Sequence, residues 1–354
     1  MNPALEATNA SAADVLVART LEAGDAGSRV WGALRSTAEG GRRIRPRVLL
    51  SAYDDLAGST PLEPRDVAER VAGAVELLHI AFLAHDDVID DDLTRHGRDN
   101  VAGAYTAQAR RAGASPADAH SYGVAAGILA GDLALATAFR QIALSGAMPD
   151  AMADLLDLFH ATLHITADGE LSDVWLGLDR PAADATNLTE VLATAERKTA
   201  VYTFELPLRA AAVLAGRREL GPRLSDLGRT LGVAFQLRDD LKGTFGDPAV
   251  TGKSATSDLR EGKHTAIVAL ARATPAWGQV AAVLGRRDAS PEELAHARDL
   301  LESCGARAGV ERMVSDLEQS AARLAAELGL ERVLALVGSG ALTHGSSDHT
   351  SRAA

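Results

Sequence analysis

Apolar side chains recur at three- and four-residue spacing along most of this chain, and that spacing is typical of amphipathic α-helices. It predicts helices at about residues 14–37, 71–89, 101–113, 115–145, 150–177, 188–215, 223–243, 265–273, 291–303 and 306–337, with a further helix ending near residue 57. Glycines follow several of these segments, as at Gly40 and Gly338, where helices commonly end. The pattern therefore predicts an all-α protein.

Composition favours helices packed on helices. Of 354 residues, 47% are hydrophobic and only 4% aromatic, so a large core can be built from alanine and leucine rather than from rings. The apolar run at 123–139 is interrupted by Asp132, which favours a buried core helix over a membrane span. No long linker divides the chain, so we expect one domain over residues 14–342, with disordered ends at 1–13 and 343–354.

The net charge and the cysteine content indicate which binding partners and which cellular compartment to expect. The net charge of −12 argues against nucleic acid or an anionic membrane surface as the main partner, so an anionic substrate must meet local groups of cations. The single cysteine excludes a disulfide framework and fits a reducing cytosol. The first 13 residues lack the features of a signal peptide. We therefore expect a cytoplasmic protein with no integral membrane segment.

The segment His85 to Gly97 carries the strongest chemical signal. Asp86 and Asp90 are four residues apart at the end of a predicted helix and share a face, with Asp87 beside them. Such like charges cost a helix about 0.2 to 0.5 kcal/mol per pair, and no cation precedes Arg95 in this segment. Oxygen ligands of this kind suit Mg²⁺ shared with a phosphate-bearing substrate. A solvated acidic helix end is the alternative.

Cations are concentrated in another segment, Gly40 to Arg47. Four arginines in six residues precede a helix and could cradle an anion, although a nonspecific basic patch is the alternative. His79 lies seven residues before Asp86 on the aspartate face, where it could contact a ligand or simply be a core histidine. The four arginines are Arg42, Arg43, Arg45 and Arg47.

A second acidic pair, Asp239 and Asp240, follows about 150 residues after the first, with Gly243 where a third carboxylate would complete DDxxD. The loop 244–261 contains Lys253 and Asp258, leads to Lys263, and has the composition of a lid. Earlier, Lys198 lies among apolar neighbours, where a surface lysine is the alternative. His160, His164 and Asp168 recur every four residues and resemble a metal-binding stripe, but the HExxH arrangement is absent.

Five motifs in order resemble those of the trans-isoprenyl diphosphate synthases, the polyprenyl synthetase family. They are GGRRIRP, the first DDxxD with TRHG, GELSD, RKT, and FQLRDD followed by GK and EGKHT, between about Gly40 and Thr265. The resemblance implies an all-helical, single-domain bundle with a deep central cavity, usually a homodimer. It also implies Mg²⁺-dependent coupling of isopentenyl diphosphate to an allylic diphosphate.

The same resemblance implies a role for each matched residue. Both acidic motifs would hold Mg²⁺ on one departing diphosphate, through Asp86, Asp90 and Asp239 as direct ligands, with Asp87 and Asp240 supporting. Arg95, Lys198, Lys253 and Lys263 would bind the allylic diphosphate, while Thr199 and Gln236 face the reacting carbons. The metal-free isopentenyl diphosphate would be bound by Arg42, Arg45, His79 and His96.

Three departures from the family pattern affect these roles. Arg42 replaces the usual lysine and keeps the charge. His96 replaces an arginine, so acceptor binding should weaken between about pH 6 and about pH 8 as the imidazole loses its proton. Gly243 lacks the third carboxylate, and we consider Asp247 in the following loop as a substitute.

Ala81 and Phe82 lie about one turn before the first aspartates, where the growing tail would run. A small residue beside an aromatic one suggests a medium cavity, with geranylgeranyl diphosphate as the expected product and farnesyl or a longer polyprenyl diphosphate as alternatives. A class I terpene cyclase would use the same metals but would not need the arginine cradle. A noncatalytic regulatory subunit would normally have lost motifs, and only Gly243 favours it.

Overall fold

The computed structural model describes residues 29–38, 41–95, 97–178, 187–246 and 256–338, and nearly all of this part is helical. The all-α prediction is confirmed. In chain order the α-helices are α1 (Arg29–Ala38), α2 (Ile44–Leu56), α3 (Arg65–Ile89), α4 (Val101–Arg111), α5 (Pro116–Ala143), α6 (Pro149–Gly177), α7 (Leu188–Ala195), α8 (Leu206–Ala215), α9 (Gly221–Phe245), α10 (Ser257–Glu261), α11 (Ala266–Arg272), α12 (Trp277–Ala281), α13 (Pro291–Ser303), α14 (Ala306–Glu327) and α15 (Glu331–Gly338). A π-helix (Glu196–Glu205) joins α7 to α8, and a 3₁₀ turn (Arg218–Leu220) precedes α9.

The described residues fall into two compact units. The first comprises residues up to Phe159 together with Pro207–Leu220, and the second comprises His160–Leu206 and the residues from Gly221 onward. The single domain over 14–342 and the central cavity stay predictions.

In the first unit, small residues allow α3 to pack closely on α5. A Cβ atom added at Gly131 of α5 would lie 2.7 Å from Cε1 of His85, and one at Gly127 would overlap Val88. Real Cβ contacts are not that short, so a larger residue at either position would require the side chain of His85 or Val88 to move. The close packing fixes the last turn of α3, which carries the first acidic motif, against α5.

The opposite face of α5 is exposed, which differs from the expectation of a buried core helix. Large apolar side chains lie on that face, among them Tyr122, Ile128, Leu129 and Leu133. By length and composition, α5 could cross a membrane, although only 39% of its apolar window is buried and core helices pass the same test. The apolar run is therefore covered on one side only.

Two short strands follow α3. β1 (Thr94–Arg95) pairs antiparallel with β2 (Arg98–Asp99), with Thr94 opposite Asp99. Gly97 in the turn has a φ of 74°, which glycine adopts without strain. This hairpin returns Arg95 toward the end of α3.

The second unit is built around α9. Its apolar core joins residues of α9, α10, α11, α13 and α14, among them Leu237, Leu259, Ile267, Leu294 and Val310. The segment 188–215, predicted as one helix, contains the π-helix in its middle. A Cβ at Gly169 of α6 would lie 2.7 Å from Cα of Lys198, so glycine allows α6 to approach the π-helix closely.

Candidate active site

The first acidic motif occupies the last turn of α3. Asp86 is partly exposed, Asp90 is exposed at the C-cap, and the side chain of Asp87 is only 3% exposed. The Asp90 N–H donates to the Asp86 carbonyl at 2.8 Å, which continues the helical turn. Asp86 and Asp90 are thus one helical turn apart and accessible, whereas Asp87 is buried, and the role of these carboxylates as metal ligands stays a prediction.

Arg95 is the cation that compensates these aspartates. Its Nε and Nη2 atoms donate to Oδ1 of Asp87 at 2.9 and 2.7 Å, and Nη2 also donates to Oδ2 of Asp86 at 3.3 Å. Burial raises the pKa of Asp87, and the charge and hydrogen bonds of Arg95 partly offset that rise. Arg95 was predicted to bind the allylic diphosphate, and in this structure its guanidinium pairs with Asp86 and Asp87.

The predicted basic cradle lies at the start of α2 and is partly buried. Arg43 is the N-cap residue with a φ of 49°, and its Nη1 donates to Oε1 of the buried Glu76 at 3.1 Å. Arg45 is also buried. Burial and the positive charges of Arg45, Arg95 and Arg43 hold the pKa of His79 well below its usual value. The charged form of this imidazole is therefore disfavoured in the structure.

Neutral His79 can still donate a hydrogen bond to an anion, so its role in binding stays a prediction. The charges that lower the pKa of His79 also indicate which side chains lie near it. The charges of Arg45, Arg95 and Arg43 each act on the His79 imidazole, so these guanidinium groups lie around it. Arg42 is partly exposed beside this group.

The second acidic motif lies on α9 and includes a polar relay. Thr199 donates through Oγ1 to Oε1 of Gln236 at 2.9 Å, and Nε2 of Gln236 donates to Oδ1 of Asp240 at 2.9 Å. Asp239 is exposed, while Asp240 is buried. The pKa of Asp240 is raised to about 8, chiefly by burial. The negative charges of Asp258 and Asp239 contribute to the rise, and the hydrogen bond from Gln236 and the charge of Lys263 oppose it.

Lys198 is fixed by two carboxylates of α6. Its Nζ donates to Oε1 of Glu170 at 3.0 Å and to Oδ2 of Asp173 at 2.7 Å, and its side chain is 22% exposed. The GELSD and RKT segments therefore meet at the close approach of Gly169. A π-helix in an α-helical segment is frequently found at a functional site. Lys198 is not a simple surface lysine.

Several predicted residues have a less defined setting. Lys263 is half exposed, with Nζ 2.9 Å from Oε2 of Glu261 and 3.7 Å from Oδ1 of Asp258. His96, Lys253 and Asp247 lie outside the described residues. Ala81 is fully buried and Phe82 is partly exposed, so only Phe82 has surface available to line a cavity in this structure.

Three partners of site residues were not singled out as such from the sequence. Glu76 pairs with Arg43, and Glu170 and Asp173 hold Lys198. GELSD was recognised as a motif, but the spacing of 25 to 28 residues to Lys198 gives no local signal that these side chains meet. His160 and His164 approach to 3.1 Å between Nε2 atoms on an exposed face. Among the described residues, no three His, Cys, Asp or Glu side chains form a metal cluster.

A helical chain that combines exposed carboxylates of the magnesium-binding type with a buried group of cations has the features of an enzyme that processes diphosphates. Comparison with known proteins identifies the family. The model of the polyprenyl synthetase family matches residues 31–301. The geranylgeranyl diphosphate synthase of Sulfolobus acidocaldarius is 32% identical over 272 residues, covering 74% of this chain and 73% of that protein.

Two further relatives agree. The (2E,6E)-farnesyl diphosphate synthase of Mycobacterium tuberculosis is 34% identical over 274 residues, covering 75% of this chain and 68% of that protein. A crystal structure of geranylgeranyl pyrophosphate synthase from Corynebacterium glutamicum, complexed with isoprenyl diphosphate and magnesium, matches with a TM-score of 0.84 and 30% identity, covering 95% of this chain and 99% of that one. The chain belongs to the polyprenyl synthetase family and is a trans-prenyltransferase.

Proposed function

We propose that this chain couples isopentenyl diphosphate to an allylic diphosphate, with Mg²⁺ as cofactor and geranylgeranyl diphosphate as product. One observation carries the proposal. Arg95 pairs with the acidic face of α3, and its charge, with that of Arg45, also acts on His79. The first unit thus has carboxylates for a metal-bound diphosphate near cations suited to a metal-free one. A terpene cyclase would need only the carboxylates for the metal-bound diphosphate.

The reaction breaks the bond between C1 of the allylic substrate and its diphosphate oxygen, and the electron pair leaves with the diphosphate. C4 of isopentenyl diphosphate then bonds to C1, and a proton lost from C2 restores a double bond. The released diphosphate is the natural acceptor for that proton. Each step moves charge near the leaving group, so oriented charged side chains can lower the barrier.

The donor set fits Mg²⁺, because this ion prefers carboxylate oxygens and retains waters and substrate phosphates as ligands. Asp86 and Asp90 would hold it at the end of α3, and Asp239 would do so on α9. Bound Mg²⁺ would neutralise negative charge on the leaving diphosphate. The buried Asp87 orients Arg95 through two hydrogen bonds. Asp87 would thus support the metal site without being a metal ligand itself.

The remaining groups bind and orient substrate. Lys198, held by Glu170 and Asp173, together with Arg95, Lys253 and Lys263, would bind the allylic diphosphate. Arg42, Arg45, His79 and His96 would bind isopentenyl diphosphate. Thr199 and Gln236 are fixed relative to each other by their hydrogen bond, so their dipoles can face a developing carbocation without reorganising.

A cytoplasmic homodimer is part of the proposal. Several large apolar side chains are exposed on α5, and groups of exposed apolar side chains commonly mark protein interfaces. A second copy would cover it.

Incubation of the purified protein with Mg²⁺, isopentenyl diphosphate and dimethylallyl, geranyl or farnesyl diphosphate, followed by chromatographic sizing, tests the function. We expect a C20 product from all three primers. A C15 product would identify a farnesyl diphosphate synthase like the relative from M. tuberculosis. Cyclised hydrocarbon, or no product without a partner protein, would contradict the proposal.

A further inference from the structure

The carboxylates at the two ends of the π-helix meet one arginine of α9. Glu196 is the first residue of the π-helix and Glu205 is the last. Nε of Arg229 donates to Oε2 of Glu205 at 2.9 Å and lies 3.7 Å from Oε1 of Glu196. The side chain of Glu205 is only 5% exposed, so the arginine joins a buried carboxylate of the π-helix to α9.

One arginine can meet both carboxylates because the segment is π-helical. In an α-helix, with about 3.6 residues per turn, residues nine apart are separated by about two and a half turns and lie on opposite faces. A π-helix, whose hydrogen bonds span five residues, has about 4.4 residues per turn, so nine residues complete about two turns. The Leu206 N–H donates to the Val201 carbonyl, which is a bond of this kind. Glu196 and Glu205 therefore share a face in the π-helix and would not share one in an α-helix.

Two glycines bring α9 close to the same segment. A Cβ atom added at Gly228 would lie 2.5 Å from Cα of Glu205, and one at Gly232 would overlap Ala200. The neighbouring atoms include backbone, so a larger residue at either position would push the π-helix away from α9. The contact between Arg229 and the two glutamates thus lies where the two helices are closest.

Arg229 lies away from the groups proposed to act on substrate. It is seven residues before Gln236 on α9, which corresponds to about 10 Å along the helix. Gln236 accepts the hydrogen bond of Thr199, and Lys198 precedes Thr199 in the π-helix. An effect of Arg229 on the reaction would therefore pass through the conformation of the π-helix.

We propose that Arg229 is a positioning residue, which pairs with Glu196 and Glu205 together and so holds Lys198 and Thr199 in the π-helical form that the reaction uses. The proposal deepens the proposed function and rests on the roles given there to Lys198 and Thr199. Because π-helices are rare, a segment this long needs contacts that favour it over the α-helix. A change to α-helical turns would rotate the start of the segment relative to its end and would displace both side chains.

Three variants test the proposal. Arg229→Gln removes the cation, whereas Arg229→Lys keeps a positive charge for Glu205. Arg223→Gln is the matched control, because Arg223 is on the same helix and its side chain is 46% exposed, against 44% for Arg229. Arg223 also forms an ion pair, but with Glu327 of α14 instead of with the π-helix.

The readouts are hydrogen exchange of residues 196–206, followed by mass spectrometry, and steady-state kinetics. We expect faster exchange in Arg229→Gln and a kcat lower by about 10- to 100-fold, as displacement of a positioned group can cause. KM for the allylic diphosphate should rise, with little change in KM for isopentenyl diphosphate, whose proposed ligands belong to the first unit. Arg229→Lys should recover part of each loss, and Arg223→Gln should match the wild type.

Arg229→Gln with the exchange and kcat of Arg223→Gln would overturn the proposal, because the glycine contacts alone would then hold the π-helix. A lower kcat without faster exchange in residues 196–206, or the reverse, would overturn it as well. If Arg229→Gln folds poorly, as judged by circular dichroism, Glu196→Gln decides. It leaves the pair with Glu205 in place and should change both readouts in the same direction.

Failure of the wild type to form product would contradict the proposed function instead. Hydrogen exchange of the π-helix does not depend on turnover, so it would still show whether Arg229 holds this segment. The two failures are therefore distinguishable.

Discussion

Asp239 and Asp240 are neighbours in the sequence but have different surroundings. The first is exposed, whereas the second is buried and accepts a hydrogen bond from Gln236. The sequence identified both as site residues by motif. It could not show which one is buried, because burial depends on packing by residues distant in the chain. The same limit applies to His79, because its lowered pKa follows from burial and from the charges of Arg45, Arg95 and Arg43.

Asp240 should make stability depend on pH. Its folded-state pKa of about 8 lies above the ordinary value of 3.8, so the folded protein keeps a proton that the unfolded chain has lost. Stability should therefore fall as pH rises from about 4 to about 8. Asp240→Asn cannot ionise and still offers Oδ1 to Gln236. In EDTA we expect its Tm to exceed that of the wild type by about 3 to 6 °C at pH 9 and to differ little at pH 5.

Asp226→Asn is the control for this experiment, because Asp226 is an exposed acid of α9 about four turns before Asp240. Its Tm difference from the wild type should be similar at both pH values. A lower Tm for Asp240→Asn at pH 9 would contradict the assigned ionisation.

Phe82 should limit product length. It lies four residues before Asp86 and is partly exposed, whereas Ala81 is fully buried. Phe82→Ala would remove an aromatic ring from the path of the growing tail, so we expect products longer by one or more five-carbon units. Phe139→Ala is a matched control, since that ring packs on Phe159 with centroids 6.1 Å apart. Unchanged chain length in Phe82→Ala would exclude it as the floor.

At the scale of elements, the apolar periodicity predicted most helices well. The predicted helix 291–303 has those bounds in the structure, and α6 differs from its prediction by one residue. The segment 306–337 is two helices, because Gly329 adopts a φ of 70° between them. Periodicity could not identify the π-helix at 196–205, because its apolar pattern continues that of the flanking helices. Short elements such as α10 and α12 contain too few residues to show a period.

The close approach of α6 to the π-helix should depend on Gly169. Gly169→Ala would place a methyl group 2.6 Å from the Arg197 carbonyl carbon and 2.7 Å from Lys198 Cα. Backbone must then move, which we expect to cost about 1 to 3 kcal/mol of unfolding free energy and to lower kcat by displacing Lys198. Urea denaturation and steady-state kinetics measure both effects.

Gly177→Ala on the same helix is the matched control, because nothing lies within 4 Å of its Cβ position. It should leave stability and kcat nearly unchanged. Equal losses of stability and kcat in the two variants would mean that the approach of α6 to Lys198 is not responsible.

At the scale of the whole molecule, the motifs predicted the family and the all-α class, and both are confirmed. The exposed apolar face of α5 could not be predicted from the sequence. An apolar helix has the same sequence pattern whether the rest of the chain packs on both of its faces or on only one. That face carries the proposal of a homodimer.

Leu129→Glu should break the dimer. Leu129 is exposed on α5, and a charge there would have to be buried without a partner in an apolar interface. We expect light scattering to give the mass of two chains for the wild type and of one chain for the variant. Ala322→Glu, at an exposed position of α14, is the control and should remain dimeric. A monomeric wild type would contradict the homodimer.

The neutral, buried His79 has a thermodynamic consequence. Burial and the charges of Arg45, Arg95 and Arg43 lower the pKa of His79, and an acceptor diphosphate bound by Arg42 and Arg45 would offset part of that repulsion. Binding near pH 6 should then draw a proton from the solvent, and the measured heat should vary with the ionisation enthalpy of the buffer. In His79→Gln that variation should disappear. Substrate capture would thus be linked to the acidity of the medium through a group that takes no part in bond making.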